Sequence, residues 1–166
     1  MDMDGGSMEV VVIEASRADR HLIENLIQFY TYDFTEFTGA AILEDGTFRS
    51  LPDLGTYWSE PNKNHAYIIK ANDEITGFTL IKEIEGTRKY NYLAHFFILR
   101  KYRRSGIGRK AAKEVLSKYQ GEWELYQLEN NIPAQNFWDK VIEDISDQEV
   151  KVRIENGRRY QNFICK

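Results

Sequence analysis

Residues 90–113, YNYLAHFFILRKYRRSGIGRKAAK, decide how this chain is read. Tyr90–Leu99 is apolar on both faces that a strand would present, which predicts a central strand of a covered sheet. A basic connection follows at Arg100–Ser105, and Gly106 and Gly108 then open a helical pattern that carries the small residues Ala111 and Ala112. Seven residues from Arg100 to Lys113 are Lys or Arg. A glycine-bearing loop that opens a helix leaves main-chain N–H groups without partners and adds the positive end of the helix dipole. It is a ready anion site, and here it is expected to hold the pyrophosphate of a nucleotide-containing cofactor.

Outside this loop the chain is acidic. Its 166 residues carry 22 Lys and Arg against 26 Asp and Glu, a net charge of −4 at pH 7. A general nucleic-acid binder would usually be basic over the whole domain, so the cluster suits a small polyanion and no nucleic-acid partner is expected. Hydrophobic content of 42% and charged content of 29% are ordinary for a soluble globular protein, and the length suits one domain with its own core. Cys165 is the only cysteine, which leaves no intramolecular disulfide or cysteine zinc site and fits a reducing cytoplasm. No apolar run reaches the roughly 18–20 residues of a membrane span, and no signal-peptide pattern opens the chain. A cytoplasmic protein without membrane association is expected. MDMDGGS at 1–7 is polar and patternless, and reads as a disordered leader or an expression remnant before a domain at 8–166.

Residues 9–15, EVVVIEA, predict a short strand. Ser16, with Asp19 three positions on, is close to a capping box for a helix in which Leu22, Ile23, Leu26, Ile27 and Tyr30 recur at helical spacing. The segment from Thr35 to Asn62 lacks a period. It mixes acids (Glu36, Glu44, Asp45, Asp53, Glu60) with aromatics (Phe37, Phe48, Tyr57, Trp58). It reads either as a partly helical layer over the sheet edge or as an acceptor-binding lid. HAYIIKA at 65–71 and TGFTLIKEI at 76–84 predict strands of a hairpin joined by NDEI. Past the central strand come a helix from about Gly106 to Tyr119 ended by Gly121, and a strand WELYQL at 123–128. A helix in NNIPAQNFWDKVIE follows, with Pro133 near its first turn, and VKVRIEN and RRYQNFIC close the chain as a hairpin over Gly157. The order describes one mixed α/β domain.

Two cofactor patterns compete for the loop. GIGRKA at 106–111 matches the dinucleotide pattern G-x-G-x-x-G/A, with Glu129 where a ribose-binding acid would stand. Dinucleotide-binding glycines follow their strand almost at once, whereas Leu99 and Gly106 are separated by RKYRRS, four of whose residues are basic. The chain also has no room for a second βαβ half. The other pattern, R-x-x-G-x-G, is filled by Arg103, Gly106 and Gly108. An apolar strand leads into it, and N-x-x-A-x-x-F-W follows about two dozen residues later in Asn131, Ala134, Phe137 and Trp138. In these features, in this order, residues 8–166 resemble the GNAT superfamily of acyl-CoA-dependent N-acyltransferases.

The resemblance implies an α/β (mixed α+β) single domain. Its central twisted sheet would have about seven mostly antiparallel strands, splayed between strands 4 and 5, with about four flanking helices. It implies acetyl-CoA as co-substrate, no metal, and a primary amine acceptor that is a small molecule or a peptide or protein. Backbone N–H groups of Arg104, Ser105, Gly106, Ile107, Gly108 and Arg109 would clasp the pyrophosphate. Side chains of Arg103, Arg104, Arg109 and Lys110 would add charge there or at the 3′-phosphate. The pantetheine arm would lie along the main chain of Phe97, Ile98 and Leu99. Asn131, Ala134, Phe137 and Trp138 would stand near the cofactor, with a local helix cap as the other role open to Asn131. A homodimer is compatible with the resemblance.

Acetyl transfer to an amine needs a neutral amine, a stabilised oxyanion and a proton for the thiolate. His95 is the candidate base, because imidazole titrates near neutrality; a hydrogen-bonded strand histidine is the plainer alternative. Glu83 is a second candidate. Where the family carries a proton-donating tyrosine this chain has Trp138, whose indole N–H donates a hydrogen bond but supplies no proton. Tyr126, Tyr92 or water would then serve. The oxyanion would meet a main-chain N–H near Ile98. Asp33 and Glu36, with further acids in the irregular segment, are expected on the acceptor side and favour a cationic amine. The rival expectation is a CoA-binding or interaction module of the same fold that has lost catalysis at Trp138.

Overall fold

Val10–Glu14 forms β1. At its end the Asp19 carboxylate accepts from the Ser16 N–H (2.9 Å) and Oγ (3.1 Å), which turns the chain through a 3-10 turn at Arg17–Asp19 into α1, Arg20–Thr38. The helix runs one turn beyond Phe34, into the segment expected to be irregular. The reason is a continued aromatic stripe: Tyr30 packs on Phe34 (4.7 Å between centroids) and Phe34 on Phe37 (6.5 Å). Gly39, at φ +70°, closes it by donating its N–H to the Thr35 carbonyl. The rest of the irregular segment contains one short helix, α2 (Thr56–Ser59).

β2 (Asn64–Ala71) and β3 (Glu74–Ile84) are joined by Asn72 and Asp73, both at positive φ (49° and 69°). Two left-handed residues make a primed turn whose twist matches the strands, so the connection is tighter than the expected NDEI. β4 is Tyr90–Ile98, α3 Ile107–Ser117, β5 Glu122–Leu128 and α4 Ile132–Ile145. β6 (Lys151–Glu155) and β7 (Arg158–Ile164) turn over Asn156 and Gly157, again both at positive φ.

The computed structural model describes residues 8–166; the leader expected at 1–7 lies outside the described residues. Seven strands form one sheet in the order β1-β2-β3-β4-β5-β7-β6, antiparallel everywhere except between β4 and β5. Helices α3 and α4 cover one face over Ile69, Ile81, Trp123 and Leu125; α1 and α2 cover the other over Ile68, Phe78 and Leu80. β4 supplies Leu93 and Ile98 to the first core and Phe97 to the second, as a strand apolar on both faces must. No helix among the described residues is long and apolar enough to cross a membrane.

The β4–β5 pairing is short. Asn91 faces Trp123 and Tyr92 faces Glu124, and there the ladder ends. The closed end is pinned by the Asn91 side-chain amide, which donates to the Gln120 carbonyl (3.0 Å). Beyond it Phe96 meets Trp138 edge-on (5.2 Å between centroids) and stacks near Phe137 (6.1 Å), so an aromatic wedge stands where a continuous sheet would close. A bulge at Ala94, between the His95–Leu80 and Leu93–Ile81 pairs, bends β4 at the same place.

Gly77 lets β3 lie against this bent strand, since a Cβ at that position would come 1.8 Å from the Phe97 carbonyl oxygen. Replacing Gly77 by Ala is expected to destabilise the fold by about 3 kcal/mol. Thermal unfolding should show this as a melting point about 6–12 °C lower. An unchanged melting point would mean that β4 is not held as described.

Candidate active site

Where β4 and β5 part, a cleft of about 1290 Å³ opens between α1 on one side and α3 and α4 on the other. Its floor is the free edge of β4. The Leu99 N–H donates to the Thr76 carbonyl (2.7 Å), so alternation aims the main-chain groups of Leu99 and Phe97 at β3 and those of Ile98 and Phe96 into the cleft. The Ile98 carbonyl is met from the cleft side by Arg103 Nε at 3.0 Å.

At one end of the cleft stands the start of α3. Arg104 (φ +66°) and Gly106 (φ +86°) are left-handed on either side of Ser105, and this alternation turns successive N–H groups the same way. From Arg104 to Arg109 no main-chain N–H has a protein partner among the described residues. Six donors in a row at a helix N-terminus make a cradle for a phosphate group. Gly108 favours this closeness, because a Cβ there would lie 3.3 Å from the Phe137 ring, which would have to give slightly, and 3.6 Å from Ile98.

The fold gathers most of the expected positions around this cleft. His95, Phe97 and Ile98 line it from β4, Tyr126 from β5, and Asn131, Ala134, Phe137 and Trp138 from α4 and its start. Arg103, Arg104, Gly106, Gly108 and Arg109 line it from the loop, and Asp33 and Glu36 from α1. Tyr92 and five further positions do not line it. Leu99 packs against the α1-side core, Ile107 is buried in the other core, and Ser105 Oγ donates to the Tyr102 carbonyl (2.5 Å). Lys110 Nζ lies 3.4 Å from the Met8 carbonyl. Glu83 hydrogen-bonds His65 Nε2 at 2.6 Å, away from the cleft. Asn131 is the N-cap of α4, its Oδ1 accepting from the Ala134 N–H at 3.1 Å.

Charge is arranged differently from the expectation. Asp33 accepts from Arg103 Nη2 (2.7 Å) and from Arg100 Nη2 (2.8 Å), so it braces the loop against α1. Burial alone would raise its pKa, but the hydrogen bonds and charge of Arg103 and Arg100 outweigh that and hold the carboxyl below its usual range. Arg109 and Lys113 both pair with Asp144 of α4. Arg104 is the loop arginine whose side chain has no partner among the described residues. Backbone N–H groups, more than guanidinium groups, are what the loop leaves open.

His95 is held by Tyr30 of α1, whose hydroxyl lies 2.8 Å from Nδ1. Burial pushes the imidazole pKa down to about 4, with Asp53 raising it slightly and Lys82 lowering it. Burial likewise raises the Tyr30 hydroxyl. His95 is therefore neutral at neutral pH. It is a free proton acceptor at Nε2 in the tautomer whose Nδ1–H donates to Tyr30. Sequence reasoning missed Tyr30, which at helical spacing reads as core, and Arg158, which lines the cleft from the start of β7. Trp138 stands in the wedge with the ring of Phe137 5.0 Å away.

Set beside known proteins, residues 23–142 match the model of the acetyltransferase (GNAT) family. Solved structures with a similar fold include an acetyltransferase from Thermus thermophilus, at TM-score 0.68 and 13% identity over 93% of this chain and 96% of that one. The PaiA N-acetyltransferase from Thermoplasma acidophilum, in complex with coenzyme A, aligns at TM-score 0.61 and 15% identity over 94% and 99%. Spermidine N-acetyltransferase from Vibrio cholerae, in complex with CoA and spermine, aligns at TM-score 0.64 and 12% identity over 94% and 95%. No curated protein matches the sequence significantly.

The depressed pKa of His95 has a consequence for stability. Above its ordinary value of 6.5 the group is neutral in both states; below it the unfolded chain takes up a proton that the folded chain refuses until about pH 4. Stability should fall as pH drops from 6.5 towards 4, with His95 contributing at most about 3 kcal/mol to the loss. His95→Gln should flatten that part of a melting-temperature profile. An equal slope in both proteins would mean that His95 is not buried as described.

Proposed function

The chain belongs to the acetyltransferase (GNAT) family, and on that premise we propose that it transfers an acetyl group from acetyl-CoA to a primary amine within a ternary complex. The observation that carries this reading is one cleft bounded both by the start of α3, where Arg104, Gly106, Gly108 and Arg109 line it with main-chain N–H groups unpartnered among the described residues, and by the edge of β4 that β5 leaves unpaired. Bound acetyl-CoA supplies an activated thioester. The loop N–H groups hold its pyrophosphate, and Arg104 adds charge beside them. Phe96 and the N–H of Ile98 offer main-chain groups along which an extended arm pairs as an added strand, Arg103 Nε meeting the Ile98 carbonyl, and an N–H of the same edge faces a developing oxyanion.

The amine arrives protonated and must lose a proton before it attacks. His95, oriented by Tyr30, takes it at Nε2 and passes it on to water in the cleft, because burial leaves the imidazole too weak a base to keep it at neutral pH. Tyr126 lines the same cleft and its hydroxyl has no protein partner among the described residues, so it is the proton donor to the leaving thiolate in this scheme. Glu83, held by His65, has no part in it.

A second reading, a CoA-binding module without transfer, is favoured by Trp138, which cannot supply a proton. Rates of acetyl-CoA consumption against a panel of amines, measured beside CoA affinity, separate the two. Transfer to at least one amine is expected; tight CoA binding with no transfer to any amine or peptide would favour the binding module. Gly108→Asp, which puts a carboxylate against Phe137 and the phosphate cradle, should weaken CoA binding by about 100-fold or more. Unchanged CoA affinity in calorimetry would remove the loop from the site. His95→Ala should lower kcat by about 100-fold with CoA affinity unchanged, and full activity would acquit it.

A further inference from the structure

The acceptor half of the cleft carries an exposed cation that no acid neutralises among the described residues. Arg158 enters from the start of β7, its guanidinium 4.6 Å from the centroid of the Tyr126 ring. Nη1 lies 3.4 Å from the Tyr160 hydroxyl. Both contacts are neutral, and Arg158 pairs with no carboxylate among the described residues. Nε and Nη2 have no partner there either.

Most other charges near it are paired, Glu36 and Arg104 being the cleft-lining exceptions among the described residues. Arg153 lies 4.2 Å over the Tyr160 ring and donates to Glu124 at 3.0 Å, and Glu124 is also 3.7 Å from Arg88. Asp53 is bonded to Lys82. Asp33, expected as an acid for a cationic acceptor, is held between Arg100 and Arg103. Glu36, exposed on α1, acts on Arg100 at the loop end. One face each of Tyr126 and Tyr160, which could have served an ammonium ion, is covered by a guanidinium group.

From this arrangement we infer that the acceptor amine also carries an anionic oxygen group, a carboxylate or a phosphate, which Arg158 binds through its free Nε–Nη2 edge. A guanidinium stacked on a ring loses little freedom when it forms a bidentate pair, and such a pair fixes orientation as well as affinity. Arg158 is thus a specificity residue, setting which amine is held while His95 and Tyr126 face the reacting end. The inference rests on the acetyltransferase reading and turns its acceptor class away from polyamines.

The test uses the purified protein at saturating acetyl-CoA with ω-amino acids of graded length, their carboxamides, aminoalkyl phosphates and spermidine. At least one anionic amine should exceed both its uncharged counterpart and spermidine by about 10-fold or more in kcat/KM. Whether that amine is a carboxylate or a phosphate identifies the group. Arg158→Gln should remove the advantage by raising KM about 10–100-fold for the anionic amine and far less for its carboxamide. Arg158→Lys should recover part of it. Preference for spermidine or a carboxamide, or an equal loss on both members of a pair in Arg158→Gln, would overturn the inference and leave the acetyltransferase intact. No CoA binding and no turnover with any amine would overturn both.

Discussion

Everything at this site depends on β4 and β5 pairing for two residues and then separating. In a continuous sheet the main-chain groups of Phe96 and Ile98 would be consumed by β5. Here Phe96, Phe137 and Trp138 stand between the strands, and the edge stays open. The separation is compatible with stability because the cost of unpaired backbone falls on groups that face a wide cleft rather than a dry interior. It also gives Trp138 a physical role as part of the spacer, whatever proton chemistry its indole lacks. The start of α3 is then drawn tight against the wedge, where a Cβ at 108 would press on the Phe137 ring. Phosphate cradle and strand edge are thus two results of one opening.

Electrostatics reinforces this geometry. The loop is rich in arginine, yet Arg100 and Arg103 brace it against Asp33 of α1, and Arg109 braces it against Asp144 of α4. These pairs are partly exposed and each adds little stability, but together they fix the loop from both sides. What remains for a ligand is a row of preorganised N–H dipoles, which lose little freedom on binding. On the acceptor side His95 is kept neutral by burial, and the guanidinium of Arg158 is left without an acid among the described residues. The cleft is cationic at its cofactor end and aromatic, with the unpaired Arg158, at the other.

Local rules made much of this legible in the sequence. β4 announced itself by being apolar on both faces, the hairpin at Gly157 by its glycine, and α4 by Asn131 and Pro133 at its start. The loop was legible because glycine spacing and charge density are local properties. Contacts between distant residues were not. Arg103 and Asp33 lie 70 positions apart and Tyr30 and His95 lie 65 apart, so no period or motif joins them. Asp33 therefore read as a free acid and Arg100, Arg103 and Arg109 as free cations, and folding paired them. The contact of Glu83 with His65 on the neighbouring strand was hidden for the same reason. Tyr30 was hidden by its own fit to the α1 stripe, which made a polar contact look like core.

The central claim is that one ligand spans the loop and the open edge of β4. Amide hydrogen exchange with and without coenzyme A tests it residue by residue. The account predicts new protection at Arg104–Arg109 and at Phe96 and Ile98, with the β2–β3 hairpin unchanged. Protection confined to other segments, or none at Phe96 and Ile98 when CoA is bound, would contradict it.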